Sequence, residues 1–342
     1  MAPRTRAVRL ALVLVALLAS LALLSAPTVA QAEAPALGDS NGIQVVDSQS
    51  LGPRLIDVTV SSAALAKHAG VRILRPEGYS AEPERRYPVL HLLHGGFGNY
   101  RDWTVAGNAE ALTADLDLIV VMPDAGRGGW YRDWDNFGRG GPPRWEAFHV
   151  GQLLPWADSQ LRTLASREGR AVAGLSMGGF GAISYAARHP ELFAAAASFS
   201  GAVDTRNLAL RSLIEISPLA DGGLPGSIYK LPLLGEADWA AHNPWSLAPS
   251  LRGMHLALYT GDGLPGPFDN PNSLPDVQEQ QVHSMNVALH NRLDALGIGH
   301  TWRDYGHGTH TWPYWQRDLR EELPAIMASF GVAAPAAVAV GG

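Results

Sequence analysis

The chain has 342 residues, 46% of them hydrophobic, with 26 Lys+Arg against 32 Asp+Glu and a formal charge of -6. That is enough to bury one large core in a single domain, and an acidic balance with no basic stripe argues against a nucleic-acid partner. Cysteine is absent, which excludes disulfides, thiolate nucleophiles and cysteine zinc sites.

Arg4, Arg6 and Arg9 precede an apolar run from Leu10 to Leu24, followed by Ala30-Gln31-Ala32. This pattern reads as a signal peptide over residues 1–32, too short for a bilayer span of about 20 residues. Its removal would take away three cations and leave a formal charge of -9. A secreted or envelope-associated protein is the expectation, with residues 33–330 as one catalytic domain and 331–342, a low-complexity Ala/Val/Gly stretch, as a flexible tail.

After a polar leader, strands are expected at Ile56 to Ser62 and Val71 to Arg75, an antiparallel opening to the sheet. Apolar strands follow at Tyr87 to Leu93 and Leu118 to Met122, with a helix over Ala106 to Ala114 between them. Next come a strand at Arg170 to Leu175, a helix from Gly179 to His189 and a strand at Ala194 to Ser200. Met254 to Thr260, a helix over about Pro275 to Leu296, the strand Thr301 to Tyr305 and a closing helix over Arg320 to Phe330 complete the alternation. Nearly continuous apolar strands separated by helices predict an α/β fold with a mostly parallel central sheet covered on both faces. Gly126 to Arg144 and Asp204 to Trp245 do not behave like scaffold and are expected beside the strand ends as pocket walls.

The run Val172-Ala173-Gly174-Leu175-Ser176-Met177-Gly178-Gly179 is a nucleophile elbow, a strand-to-helix turn that lifts one hydroxyl into a pocket. Ser176 is therefore the expected nucleophile of an acyl transfer; the plainer reading is a Gly-rich turn. A serine needs a base, and His310, in the loop after the last strand, is first choice, with His307 as rival. The imidazole needs a carboxylate, and Asp262, Asp269, Asp276 and Glu279 are candidates; topology alone favours Asp262, just beyond its strand. The oxyanion calls for N–H donors, expected from Met177 and from Gly96 in the turn His94-Gly95-Gly96-Phe97-Gly98, where Gly95 and Gly96 let the backbone approach. His94 or Arg101 could add a side-chain donor. Phe97, Arg101, Trp130, Tyr131, Trp134 and Trp312 are the expected substrate pocket. No cofactor or metal is expected: His91 and His94 lack a third ligand, and no glycine run has the lysine and spacing of a phosphate loop.

The elbow, the His94-Gly95-Gly96 turn, Asp238 to Pro244, Glu279-Gln280-Gln281-Val282-His283-Ser284-Met285-Asn286 and Gly308-Thr309-His310-Thr311-Trp312-Pro313-Tyr314-Trp315 together resemble the esterase D family of α/β-hydrolases, and within it the antigen 85 mycolyltransferase branch of actinobacteria. The resemblance runs from about Val71 to Phe330. It implies an α/β-hydrolase fold and moves the choice of acid to Glu279, where Val282 and Asn286 keep the branch's register, leaving Asp262 as the alternative. It implies a secreted serine carboxylesterase or acyltransferase working through an acyl-enzyme on a lipid, sugar or small-molecule ester. Trehalose mycolyltransferase-like transfer and a non-enzymatic glycan- or matrix-binding envelope protein are the alternatives, and Ser176, Glu279 and His310 argue against the last. Departures from the branch are a glycine at Gly96, where the mycolyltransferases carry leucine, and the absence of cysteine. Oligomeric state is left open.

Overall fold

A computed structural model describes residues 37–229 and 235–330. The expected signal peptide and tail lie outside the described residues. Among the described residues nine strands form one sheet in the order β1-β2-β3-β5-β4-β6-β7-β8-β9: β1 Ile43–Ser50, β2 Leu55–Ser62, β3 Lys67–Leu74, β4 Val89–Leu93, β5 Ile119–Pro123, β6 Arg170–Leu175, β7 Ala195–Phe199, β8 His255–Thr260 and β9 Thr301–Asp304. The pairs β1/β2, β2/β3 and β3/β5 are antiparallel, and every pair from β5 through β9 is parallel. The helices are α1 Asp102–Val105, α2 Ala109–Leu112, α3 Leu154–Gln160, α4 Met177–Arg188, α5 Leu208–Ile216, α6 Glu236–Ala240, α7 Pro244–Leu247, α8 Val277–Ala295 and α9 Trp312–Ser329. This is the α/β-hydrolase arrangement expected from the sequence.

The parallel strands inside the edge strand β9, whose residues are partly exposed, are buried on both sides, and their alternate residues feed two cores. Val89, Leu93 and Val172 pack with Phe180 and Ile183 of α4 and with Met285 and Leu289 of α8. Leu90, Leu92, Ala173 and Leu175 pack on the opposite face with Trp103 of α1 and with Leu319, Leu323 and Ile326 of α9. Strands covered twice have no polar side to alternate with, which is why they read as apolar runs.

Three elements depart from the sequence reading. β1 forms within the polar leader; it is an edge strand exposed along most of its length, so no apolar alternation announces it. Of the helix expected over Ala106 to Ala114 only the short α2 forms; α1 lies before it, and Gly107 and Asn108, with its left-handed φ of 54°, separate the two. The closing helix begins at Trp312, well before Arg320, because Pro313 stands in its first turn, where a proline costs no hydrogen bond.

β5 lies on one side of β4 and β6 on the other, so the chain reverses its direction of travel across the sheet at β4. Leu93 is in register with Gly174. The loops after β4 and β6 therefore leave the sheet side by side, at the switch point where open α/β sheets bind ligands.

Candidate active site

Ser176 sits between β6 and α4 with φ 51° and ψ -117°, a strained conformation for a residue with a side chain. Its backbone is held from three directions: its N–H donates to Phe199 O at 3.0 Å, and its carbonyl accepts from Phe180 N and Ala202 N. A Cβ on Gly174 would come within 2.5 Å of the Gly178 backbone, and one on Gly178 would meet Leu93 O at 2.4 Å and His94 O at 2.6 Å. The two glycines thus permit the turn to pack against β4.

The loop after β4 faces this turn. A Cβ on Gly95 would meet Leu175 Cδ1 at 2.5 Å, so the Leu175 side chain would have to shift to admit it. Gly96 is different: an added Cβ would find nothing closer than 3.9 Å, to Arg127 O and Met177 Cβ. A Cβ at Gly96 would make only ordinary contacts with its neighbours. Phe97 N–H donates to Arg127 O, at 2.6 Å, and fixes the loop to the segment after β5. Met177 opens α4, so its N–H belongs to the first turn, which lacks intrahelical acceptors.

His310 lies two residues before α9, with its side chain 7% exposed. Its Nδ1 is 2.6 Å from Glu279 Oε2. Its Nε2 is buried and has no hydrogen-bond partner among the described residues, Ser176 Oγ included. Ser176 and His310 line the same cleft, of about 470 Å³. Trp315 stands edge-on to the imidazole at 4.9 Å, and Trp312 packs edge-on against Trp315 and Trp103.

Glu279 is wholly buried in the first turn of α8. Its Oε1 accepts from Ser200 Oγ at 2.8 Å, Thr260 Oγ1 at 3.0 Å and Gly261 N at 2.9 Å. Three donors on one oxygen offset the cost of burying the group and leave the other oxygen to the imidazole.

The remaining acids divide by geometry. Asp276 is the N-cap of α8: Oδ1 accepts from Gln278 N and Glu279 N, while Oδ2 accepts from His310 N at 2.9 Å. One carboxylate therefore ties the helix bearing Glu279 to the loop bearing His310. Asp269 anchors that loop through Thr309 Oγ1 and Tyr314 OH, both at 2.6 Å. Asp262 pairs at 2.9 Å with His307, whose side chain is 62% exposed. The rival acid and the rival base thus hold each other at the surface. On α9, burial pushes the Asp318 carboxyl up to about 7, against the pull of Arg317 at 2.6 Å.

Of the aromatic and basic residues expected at the pocket, Phe97, Trp130 and Trp312 line the cleft. Arg101, Tyr131 and Trp134 do not. Arg101 turns to Tyr100 and Asp57. Tyr131 is a core residue whose hydroxyl donates to His94 O, and Trp134 is buried with its N–H on Gly129 O. These aromatics are spent on holding the loops that frame the cleft. His94 is no side-chain donor to it either: Nδ1 bonds Gly95 O and Nε2 accepts from Ala125 N. Leu213, Ser217, Gln278 and Arg127, which no sequence pattern marked individually, complete the walls. Asp276 had a signal: an Asp three residues before a Glu is a capping-box spacing, here with the glutamate diverted to a histidine.

The Esterase family model matches residues 62–326. Esterase Rv1288 of Mycobacterium tuberculosis is 38% identical over 268 residues, covering 77% of this chain and 57% of that protein. The chain thus spans little more than half the length of that relative. The Mycobacterium leprae diacylglycerol acyltransferase/mycolyltransferase Ag85B is 30% identical over 249 residues, 70% of this chain and 75% of its own. Among solved structures, MPT51 (FbpC1) of Mycobacterium tuberculosis superimposes with a TM-score of 0.66 at 21% identity, covering 83% of this chain and 99% of that one.

Proposed function

Since the chain belongs to the esterase family, in its antigen 85-like branch, we propose that it is a serine ester hydrolase that passes through an acyl-enzyme on Ser176. His310 Nε2 accepts the Ser176 proton as Oγ adds to the ester carbonyl. The N–H groups of Gly96 and Met177 hold the developing oxyanion, at the positively polarised start of α4. The tetrahedral adduct collapses, the bond to the alkoxy oxygen breaks, and His310 gives its proton to the departing alcohol. Water, deprotonated by the same ring, adds to the acyl carbonyl; the bond to Ser176 Oγ breaks, and His310 returns the proton to Oγ as the acid leaves. Glu279 fixes the Nδ1–H tautomer throughout and stabilises the imidazolium.

The observation that carries this reading is the 2.6 Å contact of Glu279 with His310 Nδ1, which leaves Nε2 without a partner among the described residues on a histidine that lines the same cleft as Ser176. A serine–histidine contact absent without substrate is compatible with it, since such bonds tighten in the bound complex. A fluorophosphonate probe on wild type and Ser176→Ala tests it: one adduct on the peptide containing Ser176, lost in the variant, is expected. A folded wild type that stays unlabelled overturns it.

Acyl transfer to a sugar hydroxyl is the second reading, favoured by the similarity to Ag85B and by a cleft walled with Phe97, Trp130, Leu213 and Trp312. It differs only in the acceptor that meets the acyl-enzyme. An ester assay with and without trehalose separates the two: acyl-trehalose supports transfer, and free acid alone supports hydrolysis. We place the protein outside the cytoplasm, secreted or at the cell envelope, on the strength of the leader at residues 1–32. A mature N-terminus at Glu33 in the exported fraction is the expected finding; intact Met1 in the cytosol would overturn it.

A further inference from the structure

At the far end of α8 from Glu279, the geometry points to a zinc-binding site made by His290, Asp294 and His300. His290 and Asp294 are four residues apart and so share one face of the helix. The helix then ends in a tight reversal: Gly297 N–H bonds Asp294 O, Ile298 N–H bonds Leu293 O, and Gly297 takes φ 62°. This turn brings His300, the residue before β9, back onto the same face. One donor atom from each of the three residues fits within 4.8 Å of the others.

The two rings are prepared for a metal rather than merely close. His300 Nδ1 donates to Ile298 O at 3.0 Å, so its Nε2 carries the lone pair and points at His290 Nδ1, 2.8 Å away. A backbone carbonyl holding the outer nitrogen is the usual companion of a metal-bound histidine. His290 lies flat against Trp302, 4.5 Å between ring centres and 1° between planes, which fixes its orientation. Its Nε2 faces Asp294 Oδ2 at 3.5 Å.

Without metal, one proton lies between the two nitrogens. With zinc, that proton moves to His290 Nε2, facing the carboxylate, and the ion takes its place between Nδ1 and Nε2. Two nitrogens on a tetrahedral zinc sit ~3.3 Å apart, so the pair opens by only about half an ångström. Asp294 supplies one negative charge against His290 Nε2–H, as the outer partner of that ring, and solvent completes the shell. Two imidazoles backed by one carboxylate suit zinc and do not suit magnesium or calcium, which take oxygen ligands.

The ion would pin the end of α8 to the start of β9, a structural and not a chemical role. Untagged protein, stripped with EDTA, titrated calorimetrically with ZnCl2 and with MgCl2, tests it. One equivalent of zinc and no magnesium is expected to bind, with Tm raised by about 4 °C when zinc is near 100 times its Kd. His300→Ala and the conservative, exposed Asp294→Asn should each weaken binding at least about tenfold. No saturable zinc binding, or unchanged affinity in folded Asp294→Asn and His300→Ala, overturns the proposal. Neither result bears on labelling of Ser176.

Discussion

Glu279 holds the His310 ring at 2.6 Å with one oxygen while its other oxygen satisfies three buried donors. The two oxygens do separate jobs, so two substitutions should separate them. Glu279→Gln keeps a carbonyl for Ser200, Thr260 and Gly261 but loses the charge, and we expect kcat on a nitrophenyl ester to fall about 10³–10⁴-fold with little change in Tm. Glu279→Ala strands those donors as well, each at about 1–3 kcal/mol, and should be markedly less stable. Asp262→Asn, which disturbs only the surface pair with His307, should stay within about twofold of wild-type kcat if the assignment to Glu279 is right. A Glu279→Gln enzyme of near-native rate would reject it.

Asp276 acts one step further out. Its two oxygens bridge the start of α8 and the backbone of His310. Asp276→Ala should cost about 1–2 kcal/mol as a lost helix cap. It should also lower kcat more than it raises KM, because the ring loses the anchor of its own N–H. Asp276→Asn, which keeps a capping oxygen, should recover most of the stability. Urea unfolding and steady-state kinetics on the same preparations give both readouts; equal kcat for Asp276→Ala and wild type would reduce Asp276 to a cap alone.

Much of this site was legible because its parts are written locally. Gly174, Ser176 and Gly178 are a turn that the backbone dictates, and strands buried on both faces announce themselves as apolar runs. The pairing of His310 with Glu279 is not local: composition left four acids open, and resemblance to a family, not spacing, moved the choice from Asp262. Nor can a sequence say which aromatic residues face a ligand. Trp130 and Tyr131 are neighbours with the same left-handed backbone, φ 53° at each, yet one lines the cleft and the other lies under it against His94. The wall from Leu213 to Ser217 was read as part of a loop, because its short helix packs through few apolar residues.

His91 should make the fold acid-sensitive. It lies on β4 with its ring edge-on to Phe193, and burial pulls its imidazole from 6.5 down to about 3. The folded chain keeps it neutral while the unfolded chain takes up a proton below pH 6.5, so stability is lost as pH falls from 6.5 toward 3. By pH 4.5 this one group accounts for about 2–3 kcal/mol. Burial acts in the same direction on His149, lowered to about 4. His91→Leu should therefore flatten the fall of unfolding free energy between pH 7 and 4.5; an unaltered slope would show that the ring is not held neutral.

The glycines of the two loops should respond in opposite ways to added bulk. Gly174→Ala and Gly178→Ala push a methyl into backbone that cannot yield, at 2.5 Å and 2.4 Å, so each should cost about 3 kcal/mol or more and distort the turn that presents Ser176. At Gly96 an added Cβ makes only ordinary contacts, at 3.9 Å to Arg127 O and Met177 Cβ, and the φ is not left-handed. Gly96→Leu should fold with a Tm close to wild type and keep its N–H where the oxyanion needs it. Because Gly96 lines the cleft, the new side chain narrows it, and kcat/KM across a series of nitrophenyl esters should shift in acyl-length preference more than in its best value. A Gly96→Leu protein that loses activity equally on every ester would mean that this loop needs its glycine for conformation, against the ordinary contacts a Cβ makes there.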